Sequence, residues 1–526
     1  MKKFIKKIKS NKLLSILSVL IIGVFFILIA RVTYAYLAPV FNSAETDVIG
    51  SSDTVDDFKF ELGDPLKIDA TPTTLKENGT NYVTSTTAKA LLKANSTKNT
   101  ATYNYYVYFQ IASNTFTYSD GSTPEIILTV TNPNGDEVTS IEGLTYGTFS
   151  GVSGFDITTK SGLFAIANAY SITSNSSTAY TTQSWTIKIT YLNLSTDQSA
   201  NFGNSMGVNV LIRKSKFTFT DYVISQYTGT QGENNIYYHD SYLTNGAGDK
   251  SYRYAGPSNT TNNFVCFGSD AATCPTDNLY RIIGVIDDKV KLIKYDYATS
   301  TLLGTDGDYL GSNAPNTSNY KGSQSSINTY YWNYKNDTTI NSGNGSNTWS
   351  TSLLNKTNLN KNFINNIGST WASKIATTTW QVGGNTTANI KGVVPSATYQ
   401  NEIVNSVTTN TTDGAKEYRA KIGLMYVSDY GFAADQSAWT TELSSYDNTI
   451  AKNTNWMYMG YNEWVISRGS ENSTSAFFVT YSGHMSYANA NYKAIFNFAV
   501  RPSFNLESTV AYVSGSGSMS DPIRVN

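Results

Sequence analysis

Charge is scarce in this 526-residue chain: Asp, Glu, Lys and Arg make up 15% of it, well under the usual quarter of a soluble domain. Histidine and cysteine are scarcer, with His239, His484, Cys266 and Cys274 the whole supply. Two cysteines do not fill a zinc site, and neither histidine lies near them in sequence. Nucleic acid is excluded as a partner because it needs a clustered basic surface. The formal net charge is −1, and the six lysines and Arg31 at the N-terminus leave −8 for the rest. No Gly-x-Ser-x-Gly elbow and no phosphate-cradling glycine loop occurs. Calcium-dependent sugar binding lacks its Glu-Pro-Asn or Gln-Pro-Asp triplet. Asp306-Gly307-Asp308 is the one dense carboxylate pair, and without further acids at loop spacing it reads as a surface turn. Glu463 beside Trp464 remains as the one acid to weigh for glycosidase chemistry. No enzyme activity, cofactor or metal is expected.

What is present begins at the N-terminus. Lys2, Lys3, Lys6, Lys7, Lys9 and Lys12 precede an uncharged apolar run from Leu13 to Ala30. As a helix this run reaches roughly 27 Å, enough for a hydrocarbon core, and the lysines keep its start in the cytoplasm. Everything beyond Arg31 is then outside the cell. Thr33-Tyr34-Ala35 places small residues where a signal peptidase would cut, so residues 1–35 are either a retained anchor or a leader cleaved after Ala35. The long apolar run favours the anchor. In that oxidising setting Cys266 and Cys274, with seven residues between them, are expected to form a disulfide rather than stay free.

A linker at 36–46 leads to a first domain at 47–216. Tyr105, Val107, Phe109 and Ile111 alternate, as do Trp185, Ile187, Ile189 and Tyr191, and Asn134-Gly135 suits a tight hairpin. Strands with one buried face and no long helix between them predict an antiparallel β-sandwich. The alternation stops at the basic patch Arg213–Lys216, and 217–263 reads as a polar connector. The second domain, 264–526, opens with Phe264–Cys266 and Leu279–Val285 as strands around the cysteine loop. Asp287-Asp288 then turns the chain into Lys289–Ile293. Residues 313–347 read as an Asn/Ser-rich insertion whose Tyr330, Tyr331 and Trp332 either fold against the domain or bind a ligand. Leu359, Phe363 and Ile367 give a helical period ending at Gly368. Ile422, Leu424 and Tyr426 alternate as a strand before Ser428-Asp429, a candidate helix cap.

Two resemblances join this reading. Thr33-Tyr34-Ala35-Tyr36-Leu37, and Trp185–Asn193 with Asp197-Gln198 and Asn201, are similar to segments of camelysin/TasA-like surface proteins. That implies a jelly-roll-like module of the cell surface, of a kind that in some members polymerises into matrix fibres. The family's Phe-x-Asp after the cleavage point is replaced by Leu37-Ala38-Pro39. The second part carries Ser352-Leu353-Leu354, Leu359–Phe363, Ile422–Ser428, Trp464–Arg468 and Ala499–Phe504. This series resembles C-type-lectin-like domains of the formylglycine-generating-enzyme architecture, including surface paralogues and targets of diversity-generating retroelements. The resemblance implies an α+β lectin-like domain whose last strands return beside its first. The catalytic thiols of that architecture do not carry over, since the only cysteines lie far upstream.

A binding surface remains. Seven of the eight tryptophans lie between Trp332 and Trp464, and Asn472 to Asn497 is rich in Asn, Ser, Thr and Tyr with hardly a charge. Tyrosine supplies contact area with few rotors to freeze, and Ser and Asn supply adaptable hydrogen bonds. The expected ligand contacts are Tyr481, His484, Tyr487, Asn489, Asn491 and Tyr492. Phe477, Val479 and Tyr481 also alternate as a strand would, so the turn from Tyr481 to Tyr492 is expected to be exposed and its flanking strands buried, and Arg468 and Arg501 are expected to be structural. The chain reads as a cell-surface adhesin or receptor, its sandwich stalk presenting a lectin-like head to a protein or glycan ligand. The alternative is a structural subunit of an extracellular fibre, homopolymerising through the sandwich.

Overall fold

A computed structural model describes residues 43–44, 55–71, 74, 79–315, 318–334, 345–407, 415–492 and 498–526. The lysine-rich tail, the apolar run 13–30 and the cleavage motif lie outside the described residues. Among the described residues no helix is long and apolar enough to cross a membrane. The chain divides into two compact units, one ending at Lys216 and one running from Phe217 to Asn526.

The first unit is a β-sandwich. One sheet orders Asp57–Leu62, Tyr82–Lys93, Thr181–Tyr191, Ile126–Thr131, Val152–Asp156 and Thr145–Phe149. The other sets Ala101–Asn114 between Ser205–Arg213 and Gly162–Ser174, and Lys67–Asp69 and Ser43–Ala44 also pair with Ser205–Arg213. Pairing is antiparallel except at Ser43–Ala44, which runs parallel to Leu211 and Ile212. The alternating residues do what a two-residue period requires: Tyr105, Val107, Phe109 and Ile111 from one sheet meet Trp185, Ile187 and Ile189 from the other in a single core. Asn132 and Gly135 close the hairpin, with Gly135 at φ 88° where a side chain would be strained.

Glu125 is the most deeply buried carboxylate among the described residues of this unit. Glu125 accepts from the Ser119 N–H (2.7 Å), Tyr191 Oη (3.2 Å), Gln198 Nε2 (2.8 Å) and Asn201 Nδ2 (2.8 Å). Charge-assisted bonds from neutral donors offset the loss of water. Gln198 and Asn201 thus brace the turn after strand Thr181–Tyr191.

The second unit is built on a nine-stranded sheet. Phe264–Cys266 pairs antiparallel with Leu279–Ile286, and the Cys266–Cys274 disulfide closes the loop between them. Asp287 (φ 49°) and Asp288 (φ 57°) make the turn into Lys289–Lys294; two left-handed residues in a row match the twist of a tight hairpin. The last strand, Ile523–Val525, lies parallel to Phe264–Cys266, so the end of the chain returns beside an early strand. Residues 217–263, expected as a polar connector, supply helix Phe219–Ser225 and strands Ile236–His239 and Ser251–Tyr254. A separate four-stranded sheet orders Gly384–Asn385, Glu463–Gly469, Ser475–Val479 and Met485–Asn489.

Three expectations need correction here. The insertion is not loop throughout: Ile327–Tyr330 is a strand paired with Tyr309–Asn313, and Tyr330, Tyr331 and Trp332 are buried. Residues 316–317 and 335–344 lie outside the described residues. The helix through Leu359 and Phe363 forms, but Leu354–Phe363 has π geometry before Ile364–Asn366. It turns Asn360 toward Ile422, whose N–H (3.0 Å) and C=O (2.9 Å) both bond the Asn360 amide. The strand at Ile422 stops after Gly423, and Ser428-Asp429 is not the cap residue itself. Asp429 sits in the first helical turn and accepts the Tyr426 N–H (2.9 Å).

Candidate functional site

The hairpin Ser475–Val479/Met485–Asn489 carries most of the expected contact residues. Its turn is held from below: Tyr458 Oη donates to the Tyr481 carbonyl (2.6 Å) and Tyr430 Oη to the Gly483 carbonyl (2.7 Å). The Tyr481 N–H donates to Asn462 Oδ1 (2.9 Å), and Gly483 takes φ 96°. With its backbone tied down, the turn leaves Tyr481 exposed, while Phe477 and Val479 are buried in strand phase. The flanking strand is buried at Phe477 and Val479 and the turn is exposed at Tyr481, as expected.

Beside this hairpin is a cavity of about 460 Å³. Phe478 and Phe498 form its floor, their rings 4.8 Å apart and edge to face, and Trp464 stacks 4.1 Å from Phe498. Tyr481, His484, Tyr487, Asn489 and Tyr492 all line it; Asn491 does not. Asn491 instead lies against Gly345. Tyr487 and Asn489 reach the cavity from its margin. Tyr487 is in register with Phe477 and Asn489 with Ser475, so strand alternation puts their side chains opposite Ser486 and Ala488. The Tyr487 ring packs 6.4 Å from Phe477, with the Lys391 ammonium 5.3 Å from its centroid.

His484 belongs to a small hydroxyl cluster. Its Nδ1 lies 3.1 Å from Thr480 Oγ1 and 3.0 Å from Ser482 Oγ, and those two oxygens are 3.0 Å apart. Burial and the nearby Lys391 charge push its pKa down, so the ring is neutral at physiological pH. Residues missed from sequence include Phe478, Phe498, Asn462 and Ser486, with Thr480 and Ser482 beside His484. Phe478 was detectable, being out of phase with Phe477 and Val479. Asn462 and Phe498 arrive from other elements, and nothing local marks them.

The tryptophans are not ligand anchors. Trp332, Trp349, Trp380, Trp439, Trp456 and Trp464 are all essentially inaccessible, and Trp371 is buried. They build the core instead, with indole N–H groups of several bonded to backbone carbonyls, as Trp464 Nε1 is to Tyr330 O (2.9 Å). Glu463 is likewise structural: Arg501 binds both its oxygens (2.7 and 2.8 Å), leaving no free carboxyl for acid catalysis. Arg468 holds the Val382 carbonyl (2.6 Å). Asp308, expected on a surface turn, is buried instead, its carboxylate accepting the N–H groups of Tyr334 (3.1 Å) and Leu354 (3.0 Å). His239 is packed between Phe432 and Trp439 and accepts the Ala247 N–H (3.0 Å). Among the described residues no group of three or more His, Cys, Asp or Glu is placed to hold a metal.

Comparison with family models, with curated proteins and with solved structures finds no match for this chain in any of the three.

Proposed function

We propose that this protein is a non-enzymatic cell-surface binding protein, an adhesin or receptor whose second unit holds the ligand site. The reading puts the membrane at residues 13–30, the sandwich next in sequence as a jelly-roll-like stalk, and a lectin-like head beyond it. The observation that carries it is the cavity beside the Ser475–Asn489 hairpin. Among the described residues it has an aromatic floor and an uncharged polar rim, and it is reached by exposed tyrosines on a rigidly tied turn. Concave, mostly apolar sites with a few placed polar groups are where small ligands and glycans bind. The disulfide supports an extracellular location.

The test is binding of the full-length chain to glycan and protein arrays, and to cells, with and without Tyr492→Ala. Retention that Tyr492→Ala weakens about thirtyfold or more, at unchanged melting temperature, supports the reading. Retention indifferent to Tyr492→Ala and Phe478→Ala removes the cavity from the function. Long filaments of the purified ectodomain in electron micrographs would instead favour the fibre subunit.

A further inference from the structure

A further cavity of the second unit, about 380 Å³, is lined by five charged side chains, of which Arg253, Lys291 and Asp429 satisfy one another. Asp429 pairs with Lys291 (2.5 Å) and Arg253 (3.2 Å), and Arg253 also with Asp249 (2.8 Å). It offers a ligand no uncommitted group of either sign among these four.

The hairpin cavity differs in kind. Among the described residues no acidic or permanently charged side chain lines it, and burial with the Lys391 charge favours the neutral form of His484. Lys391, whose charge acts on His484, is engaged with the Tyr487 ring, on the other side of the strand from Ser486. A charged ligand entering such a site would give up water and meet no counter-charge. Polar capacity is nevertheless plentiful. Ser486 Oγ, His484 Nε2 and Tyr492 Oη have no partner among the described residues. Thr480 and Ser482 orient the imidazole through Nδ1. Half-buried Phe478 and exposed Tyr492 flank these groups with aromatic surface. The matching ligand has a flat apolar face, a hydroxyl perimeter and no net charge, within a volume typical of small-ligand pockets at roughly 300–1,000 Å³.

We propose that this cavity takes a neutral saccharide, without calcium. The C–H face of one sugar ring lies against Phe478 and Tyr492, and ring hydroxyls bond Ser486 Oγ and His484 Nε2. The inference rests on the cavity being the binding site and names its ligand class.

The experiment presents the full-length chain in detergent micelles to an array carrying neutral glycans (mannose-, galactose- and N-acetylglucosamine-bearing), sialylated glycans and uronate-bearing glycans. Binding is read at low salt, at about 500 mM salt and with EDTA. Expected is retention of neutral glycans, changing less than about twofold with salt or EDTA and falling at least about tenfold in Tyr492→Ala and severalfold in Ser486→Ala. Both variants should melt with the unaltered protein. Preference for acidic glycans or for a peptide, lost in Tyr492→Ala, overturns the neutral-sugar inference and leaves the cavity reading standing. Neutral-glycan binding that ignores Tyr492→Ala and Phe478→Ala overturns both. Failure to retain any glycan overturns the sugar inference, with the cavity reading then decided by protein and cell binding.

Discussion

In the sandwich, strands send one residue in two to the core, and buried polar groups such as Glu125, Gln198 and Asn201 satisfy one another. In the second unit whole strands are buried on both faces: every residue of Glu463–Gly469 is buried, as are all but the last of Leu279–Ile286. Charged residues are carried inside with them. Arg501 is matched by Glu463, and Lys291 and Arg253 by Asp429. Arg281 is held by Asn263 Oδ1 (2.6 Å) and the Thr261 carbonyl (2.8 Å), with Trp456 4.8 Å away. Burial lowers its pKa to about 9. A half-buried sheet can leave its polar side chains to water; a doubly covered one carries them into the core, where most are paired within the protein and Lys294 Nζ has only Asp277 at 3.9 Å. The second unit should therefore be the more brittle to loss of a polar partner.

The largest expected effect tests that contrast. Arg501→Met strands the Glu463 carboxylate in the core and should cost about 3–5 kcal/mol. Trp464→Ala should cost about 3–5 kcal/mol through the cavity it leaves. In the sandwich, Glu125→Ala leaves buried amide donors unpaired and should cost about 1–3 kcal/mol. Denaturant unfolding reads the two units separately, because Trp185 is the only tryptophan before residue 217. Equal losses for Arg501→Met and Glu125→Ala would break the comparison.

Next in size is the disulfide. Replacing Cys266 and Cys274 by serine should lower the stability of the second unit by roughly 2–3 kcal/mol, the entropy of so short a loop, and leave the sandwich transition in place.

A pH series sharpens the contrast further. His239 is fully buried, and burial, then the Arg253 charge, hold its pKa at about 3 against 6.5 in water, with Asp249 opposing. A depressed histidine means the unfolded chain binds the proton first. The stability of keeping it neutral is complete above pH 6.5 and is lost as pH falls toward 3, at up to about 1.4 kcal/mol per pH unit. Glu402 acts the other way: burial raises its pKa to about 6, so its contribution is present below the unfolded value near 4.5 and is lost as pH rises through 6. His239→Phe removes only the first contribution. The wild-type second transition should fall more steeply than the variant's between pH 6.5 and 4; parallel curves would mean that His239 is not held neutral.

The smallest effect on stability is expected where the effect on binding is large. Tyr487→Ala and Tyr492→Ala remove exposed rings and should shift stability by under about 0.5 kcal/mol. Tyr492→Ala should cost about 2 kcal/mol of binding. Tyr487→Ala should cost less, since its ring lies toward Phe477 and Lys391. A severe loss of stability in either would assign these tyrosines to the core.

Much of the molecule was legible in local pattern. A period of two residues announced the sandwich core from Tyr105 to Ile111 and from Trp185 to Tyr191, because a strand's inward side is decided by parity alone. Asn134-Gly135, Asp287-Asp288 and the paired cysteines announced turns and a closed loop through chemistry that acts over a few residues. The window after Asn472, with Lys493 its one charge, pointed to the hairpin that borders the cavity. Other features depended on partners far along the chain. Seven tryptophans looked like a binding surface and are core, because their burial is set by strands and loops up to hundreds of residues away. Residues 217–263 looked like polar connector, yet Tyr252 and Arg253 pair with Val285 and Gly284. The cavity exists only because Phe498 and Asn462 come to Phe478 from outside the hairpin, and strand register alone turns Tyr487 to one side and leaves Asn491 out. Sequence determined which segments could be strand or turn and which stretch was nearly uncharged, since propensity and parity are local. Tertiary structure decided which faces meet, which ions are paired and what the hairpin encloses, since burial is a property of contacts between distant residues.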